Sequence, residues 1–142
     1  MEARPAGQLV DVLETALYSS DLAAAEDFYR RVLELELESK VPGRHVFFRC
    51  GDGMLLIFDP AATARSGPVP SHGAAGPGHV AFAVENEDAL ATWPERLRRA
   101  GVEVEADVEW PGGGRSIYFR DPAGNSLELT TPRIWGLGAT ST

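Results

Sequence analysis

The sequence predicts an α+β protein in which two βαβββ modules follow one another and form a curved mixed sheet around a cup. Three observations predict this class: the two halves resemble each other, their short apolar segments alternate as strands do, and each half holds one helical pattern. The similarity is clearest between residues 44–58 and 115–129, where five of fifteen positions are identical at an offset of 71. Upstream, residues 14–33 align with residues 79–98 at an offset of 65.

The first module begins with a short strand at residues 12–19. Asp21 is a favourable helix N-cap, and the segment that follows, AAAEDFYRRVL, places apolar residues at helical spacing. The segments LELELESK and HVFFRC then alternate as strands do. The turn GDG supplies glycines that tolerate positive φ, and MLLIF is expected to form the closing strand.

The second module repeats this order of elements. A strand is expected at residues 79–84 and a helix near residues 86–100, ended by Gly101. Pro94 falls in the first half of that helix and is expected to bend or shift it. The later strands are expected at residues 102–110, 115–120 and 126–130, with the turn DPAG before the last of them.

Both modules fit within one domain spanning residues 1–142. Gly, Pro, Ala and Ser are concentrated between the two modules, and this composition indicates a connector. The expected divisions are a first module at residues 10–60, a connector at 61–77, a second module at 78–135 and a tail at 136–142.

Composition and charge exclude several classes of function. The formal net charge is −8 and no basic stripe compensates for it, which argues against a nucleic-acid partner. The chain has no run of about eighteen apolar residues, so no membrane partner is expected. The N-terminal residues lack an apolar signal core and the chain has a single cysteine, Cys50; both observations favour a reducing, cytoplasmic location.

The strand patterns place three ligand-type side chains on one side of the predicted sheets. Successive strand residues point to opposite faces of a sheet. In residues 79–84 the apolar positions form the face that a helix would cover, so His79 lies on the other, concave face. Glu14 and Glu128 have the same phase in their own strands. The concave side of the strand at 115–120 carries Ser116, Tyr118 and Arg120.

Three segments together resemble the vicinal-oxygen-chelate superfamily, which includes glyoxalases, bleomycin-resistance proteins, fosfomycin-resistance enzymes and extradiol dioxygenases. They are ETALYSSDLAAAEDFYRRVLELELE, GHVAFAV and YFRDPAGNSLEL, and the resemblance covers about residues 10–135. It implies paired βαβββ modules around a cup, a small-molecule substrate, a divalent metal and a homodimer.

The resemblance also implies roles for individual residues. Metal-using members carry a ligand early in the first strand of each module and a glutamate in a last strand. Glu14, His79 and Glu128 occupy these positions. Tyr118 matches a substrate-contacting tyrosine of fosfomycin-resistance enzymes, so Tyr118 and Glu128 are the implied catalytic residues. The candidates for substrate binding are Phe47, Arg49, Trp110, Ser116 and Arg120.

Three positions depart from the family pattern. Ile57 stands where four-ligand glyoxalases have a first-module glutamate, which makes a glyoxalase I reaction less expected. Glu14 replaces a histidine, and the resulting ligand set differs from the two-histidine set expected of extradiol dioxygenases. Glu34 stands where glycine is common, which bears on the local turn and not on the site.

A site with three protein ligands leaves coordination positions open for a substrate. Two glutamates and a neutral histidine balance the charge of a divalent cation, and Zn, Ni, Mn, Fe and Co all remain open. Such a cation would hold two neighbouring substrate oxygens and stabilise an anion that forms in the reaction.

Two functions remain open. The first is a metal-dependent lyase, isomerase or dioxygenase acting on a small oxygenated molecule. The second is metal-free sequestration of an antibiotic or other small aromatic molecule, served by Phe47, Leu55 and Ile57, which are expected on the first module's cavity face. In that case Glu14 would be solvated and Glu128 would pair with a cavity arginine, because an isolated buried charge is costly.

Overall fold

The computed structural model describes residues 6–138 and shows an α+β fold whose first half is a mixed four-stranded sheet. The strands of this sheet are β1 (Glu14–Tyr18), β2 (Glu36–Val41), β3 (His45–Cys50) and β4 (Gly53–Phe58). They lie in the order β1-β4-β3-β2, with β1 parallel to β4 and the other neighbours antiparallel. Helix α1 (Leu22–Arg31) connects β1 to β2.

The second half repeats this topology. Its strands are β5 (His79–Ala83), β6 (Ala106–Glu109), β7 (Arg115–Arg120) and β8 (Ser126–Thr130), in the order β5-β8-β7-β6. Its helices are α3 (Glu87–Ala91), α4 (Trp93–Arg99) and a short 3-10 helix (Pro132–Trp135), and α2 (Pro60–Ala64) lies between the halves. The tandem-module prediction is therefore confirmed. The end of the expected tail, residues 139–142, and residues 1–5 lie outside the described residues.

The single helix expected near residues 86–100 is two helices. Asn86 caps α3 by accepting a 2.8 Å hydrogen bond from the Ala89 amide, and α3 ends at Ala91. Pro94 lies in the first turn of α4, where a missing amide proton is tolerated, so the chain starts a new helix instead of bending an old one. Gly101 follows α4 with φ of 79°, as expected for a helix end. Within residues 6–138 no helix combines the length and apolarity that crossing a membrane requires.

The strands expected at residues 33–40 and 102–110 both begin later than their alternation patterns suggested. Regular pairing in the second sheet begins only at Ala106, so residues 102–105 of the expected strand are irregular. In the first module β2 begins at Glu36, because Glu34 adopts φ of 57°. Among the described residues Glu34 is the one non-glycine residue with positive φ, which explains why glycine is common at this position in the family.

One apolar core serves both sheets, and the helices pack against it. Phe28 of α1 and Phe119 of β7 lie with ring centroids 6.3 Å apart, so the core joins the two modules directly. The largest fully buried side chains in this core are Tyr29, Phe48, Leu55, Ile57, Leu90, Leu97, Ile117, Phe119 and Leu127. The faces of the sheets that do not contact this core are left for the site.

A polar network also joins the modules. Asp121 and Asn125, in the turn between β7 and β8, are both buried. Asp121 accepts hydrogen bonds from the Tyr29 hydroxyl at 2.7 Å and from the Asn125 side-chain amide at 2.9 Å. That amide also donates to the Tyr18 carbonyl oxygen at 3.1 Å, and the Asn125 Oδ1 accepts from the Gly78 amide at 2.8 Å. One asparagine therefore links the end of β1, the residue just before β5 and the second hairpin.

The pairing of the strands corrects the alignment of the two closing strands, which the sequence analysis had related by an offset of 71. Glu14 pairs with Met54, and His79 pairs with Ser126, so the closing strands are related by an offset of 72. The second hairpin turn is one residue longer than the first, and the first-module counterpart of Glu128 is consequently Leu56.

The assignment of Leu55 and Ile57 to the cavity face was wrong. Both are core residues on the face that α1 covers, and the apolar cavity-face residues of β4 are Leu56 and Phe58.

Candidate functional site

His79 and Glu128 are close together because β5 and β8 run side by side. The register places Glu128 opposite Ala81, two residues along β5 from His79 and on the same face. His79 Nε2 lies 3.3 Å from Glu128 Oε1. The imidazole is about half exposed, whereas the carboxylate is buried, so the pair is open to solvent from one side.

The backbone determines the tautomer of His79. Its Nδ1 lies 2.9 Å from the carbonyl oxygen of Ser126. A carbonyl oxygen only accepts hydrogen bonds, so Nδ1 carries a proton, and in the neutral ring the Nε2 lone pair is directed towards Glu128. Two acceptors then face each other. A cation between them, or a second proton on the imidazole, satisfies both. This orientation of the second ring nitrogen is typical of metal-binding histidines.

The second carboxylate oxygen of Glu128 is held by a chain of donors. Ser116 Oγ donates to Glu128 Oε2 at 2.6 Å, and Trp110 Nε1 donates to Ser116 Oγ at 2.8 Å. Thr130 Oγ1, 3.2 Å from Ser116 Oγ, donates to the carbonyl oxygen of Arg115 at 2.8 Å. These bonds fix the carboxylate with Oε2 satisfied and Oε1 directed towards His79.

Tyr118 lies on the same face of the sheet, opposite Glu128 in the register of β7 and β8. Burial, with the nearby Glu128 carboxylate as the second cause, raises the pKa of the Tyr118 hydroxyl. Its ring lies 6.4 Å from the His79 ring, between centroids, with a tilt of 26°. A tyrosine in this state is neutral at pH 7, and it can donate a hydrogen bond to a ligand that contacts the pair.

A cleft of about 430 Å³ gives access to Glu128 and Tyr118. One wall is Trp110 with the glycine-rich turn after it, and the other is Ile134 and Trp135 of the 3-10 helix. The sequence reasoning included Trp110 but missed Ile134 and Trp135. The available signal was an apolar Ile-Trp pair placed just after the strand that carries Glu128.

Glu14 is not part of this arrangement in a single chain. It is exposed at the start of β1, in the other sheet, opposite Met54. Among the described residues no three His, Cys, Asp or Glu side chains lie in a group that could hold a metal. The chain thus presents two of the three expected ligands together and the third elsewhere.

The two expected substrate-binding arginines already have acidic partners. Arg49 contacts Glu38 at 2.5 Å, and Arg120 contacts Glu105 at 2.6 Å while also donating to the Gly124 carbonyl oxygen. Glu38 lies in β2, beside β3, and Glu105 directly precedes β6, beside β7. A substrate would have to displace the partner glutamate to use these arginines.

Phe47 belongs to an aromatic surface on the concave face of the first sheet. Its ring stacks on His45 at 3.8 Å and meets Phe58 edge-on at 5.3 Å, between centroids. Tyr18 and His72 extend this surface, with the Tyr18 hydroxyl 2.5 Å from His72 Nδ1. The sequence carries no pattern that singles out His45 or His72, which lie in a strand and in the connector.

Comparison with known proteins agrees with this fold. A family model described as the Glyoxalase/Bleomycin resistance protein/Dioxygenase superfamily matches residues 11–129, and the chain belongs to this superfamily. A curated relative, the metallothiol transferase FosB of Bacillus licheniformis, is 29% identical over 117 residues, which cover 82% of this chain and 71% of that protein.

Two solved structures extend the comparison. A lactoylglutathione lyase from Agrobacterium tumefaciens is 44% identical with a TM-score of 0.90, and the match covers 92% of this chain and all of that one. A glyoxalase/bleomycin resistance protein/dioxygenase from Nocardioides is 25% identical with a TM-score of 0.70, covering 100% of this chain and 92% of that one.

Proposed function

We propose that this protein is a metal-dependent enzyme that acts on a small oxygenated molecule, with His79 and Glu128 as two of the metal ligands. The observation that carries this proposal is the pair of facing acceptors, His79 Nε2 and Glu128 Oε1, 3.3 Å apart. A divalent cation bound there would supply Lewis-acid stabilisation of an anion that develops on adjacent substrate oxygens. The similarity to a metallothiol transferase and to a lactoylglutathione lyase, both named for group-transfer or lyase chemistry, supports an enzyme.

The residues around the pair have separable roles in this proposal. Ser116 donates one hydrogen bond to Glu128, which fixes the orientation of the carboxylate as a ligand. Tyr118 has a raised pKa, so its hydroxyl stays protonated and donates a hydrogen bond to a substrate oxygen. Trp110 and Trp135 line the cleft and provide apolar surface for the non-polar part of a substrate.

The third ligand in this proposal is Glu14 of a second copy of the chain. Glu14 directly follows an apolar segment whose Leu9, Val10, Val12 and Leu13 are 67–90% exposed. Trp135 beside the cleft is 78% exposed as well. Exposed apolar side chains in this number favour a protein interface over open solvent. We propose a homodimer that covers them and brings Glu14 to the partner's cleft.

Metal analysis of the purified protein tests the ligand pair. The proposal expects about one equivalent of a divalent transition metal per chain, lost in His79→Ala and in Glu128→Ala. Glu36→Ala is the matched control, because Glu36 is an exposed glutamate at the start of β2. Full metal content in both site variants would overturn the proposal.

Mixed dimers test whether the site is shared between chains. Glu14→Ala and Glu128→Ala chains are denatured together and refolded as a mixture. If sites combine Glu14 of one copy with Glu128 of the other, half of the dimers are mixed and contain one intact site, so about a quarter of all sites recover metal and activity. A site built within one chain recovers none.

The second candidate is metal-free binding of a planar molecule, and the aromatic surface formed by Tyr18, His45, Phe47, Phe58 and His72 favours it. Rings of this kind stack on planar ligands. Absence of metal after loading with each of Zn, Ni, Mn, Fe and Co, together with tight binding of a planar ligand that Phe47→Ala abolishes, would favour this function.

The glyoxalase I reaction is the less favoured of the metal-dependent options. Neither Leu56, the structural counterpart of Glu128, nor Ile57 can bind a metal, so the first module offers no glutamate on β4. A test with the hemithioacetal of methylglyoxal and glutathione separates this reaction from thiol addition to an electrophile.

A further inference from the structure

Arg44 and Arg65 differ from the other basic residues in their surroundings. Across residues 6–138, every other lysine and arginine has an Asp or Glu oxygen within 3.4 Å. Arg44 and Arg65 have no such partner in this part of the chain, although acidic residues exceed basic ones by eight. In a chain with this excess of acids, two unneutralised arginines need an explanation.

Both arginines line one cavity of about 580 Å³ between the β2–β3 hairpin and the connector. No Asp or Glu is among the residues that line it. The polar groups it does contain are hydroxyl, imidazole and backbone groups, from Thr63, Ser66, His72 and the glycines nearby. A concave surface with two cations and no carboxylate focuses positive potential and attracts anions.

The guanidinium group of Arg44 is held in place without being neutralised. Arg44 is half-buried, and its Nη1 donates to Nδ1 of His45 at 2.6 Å. Burial, with Arg44 as the second cause, lowers the pKa of His45, so the imidazole is a neutral acceptor. The guanidinium carbon also lies 5.5 Å from the centre of the Phe58 ring. These contacts reduce the conformational freedom that Arg44 would lose on binding a ligand.

We propose that this cavity binds the carboxylate or phosphate group of a small molecule, with Arg44 and Arg65 as the binding residues. Planar guanidinium groups match both oxyanions with paired hydrogen bonds. The cavity adjoins the aromatic surface of the first sheet, because the His72 ring lies 4.8 Å from that of Phe58. A ligand with an anionic end in the cavity would place its remainder on this surface. The site does not involve His79 or Glu128.

Isothermal titration calorimetry with inorganic phosphate and, separately, with succinate tests the proposal and distinguishes the two anion sources. Saturable binding of at least one probe, at about one site per chain, is expected. Arg44→Gln and Arg65→Gln should each weaken it by about tenfold or more. Arg98→Gln is the matched control, because Arg98 is exposed and paired with Glu95, and it should leave binding unchanged.

Two further variants keep the result interpretable. Arg44→Lys retains the charge but not the planar fork, so it should fold normally and still bind more weakly than the unaltered protein. Glu128→Ala should bind phosphate or succinate normally even where metal is lost, which separates this site from the proposed metal site. Lack of saturable binding in the millimolar range, or equal binding by the Arg44→Gln, Arg65→Gln and Arg98→Gln variants, would overturn the proposal.

Discussion

Asn125→Ala is expected to destabilise the protein far more than a typical single substitution. Asn125 is 3% exposed, and its side chain makes three hydrogen bonds, to the Tyr18 carbonyl oxygen, the Asp121 carboxylate and the Gly78 amide. Alanine removes all three and leaves three polar partners without their present bonds. Two of these bonds are only partly buried, so water can replace part of what is lost.

The size of the effect follows from these contacts. An unsatisfied buried group costs about 1–3 kcal/mol, with the lower value where water enters. Three such groups give a loss of roughly 3–5 kcal/mol in the free energy of unfolding. At about 3 °C per kcal/mol for a domain of this size, Tm should fall by roughly 9–15 °C.

Urea denaturation followed by far-UV circular dichroism measures this loss, and Asn86→Ala is the matched control. Asn86 is exposed and caps α3 with one hydrogen bond, so its replacement should cost only about 1 kcal/mol. If Asn125→Ala costs no more than Asn86→Ala, the reasoning that Asn125 holds the two modules together is refuted.

Three other outcomes are expected. Ser116→Ala removes the hydrogen-bond donor to Glu128 and should weaken metal binding by about 10–100-fold. Competition with a chromophoric chelator measures this affinity, and an unchanged value would contradict the role given to Ser116. Glu34→Gly relieves the strain of a positive φ, worth about 1–2 kcal/mol. It also loses an exposed ion pair with Arg96 and makes the unfolded chain more flexible. Urea denaturation should therefore show a gain in the free energy of unfolding between zero and about 1 kcal/mol. Glu36→Gly, in β2, should instead lower the free energy of unfolding by about 0.5–1 kcal/mol. Equal losses of stability in both variants would refute the argument that Glu34 is strained. For His45 the folded pKa lies below the unfolded value of 6.5, so the unfolded state binds more protons and stability falls as pH drops through 6.5. His45→Gln should flatten the decline in Tm between pH 7 and pH 5, and an unaltered slope would show that His45 does not cause it.

Much of the fold was accessible from the sequence because strand alternation and helix caps are local properties. Asp21 and Gly101 act as expected because capping and positive φ depend on the residue itself. The break at Thr92 was not resolved, since a proline in a helical pattern is compatible with a bend or with a new first turn. The offset of the last strands was misjudged for a different reason. Both hairpin turns contain glycine, and the one-residue difference between them is visible only in the pairing of the strands.

The candidate site was predictable only in part. The phase of β5 and β8 correctly placed His79 and Glu128 on one face, and the structure brings them together; their roles as ligands stay predictions. The partners of Arg49 and Arg120 were not predictable, because Glu38 and Glu105 lie beside these arginines only through the pairing of neighbouring segments, which the sequence does not give. The separation of Glu14 from His79 within one chain was not predictable, because the packing of the two sheets is not a local property of the sequence.

The longer second turn has a consequence for how the two halves have specialised. It makes Leu56 of the first sheet the counterpart of Glu128 in the second sheet. Equivalent positions in the two modules are therefore apolar in one and charged in the other. If the proposed homodimer encloses a ligand between these two faces, the ligand would contact an apolar side chain on the first sheet and a carboxylate on the second. The difference between the two faces follows from the pairing of β4 and β8 with their neighbouring strands.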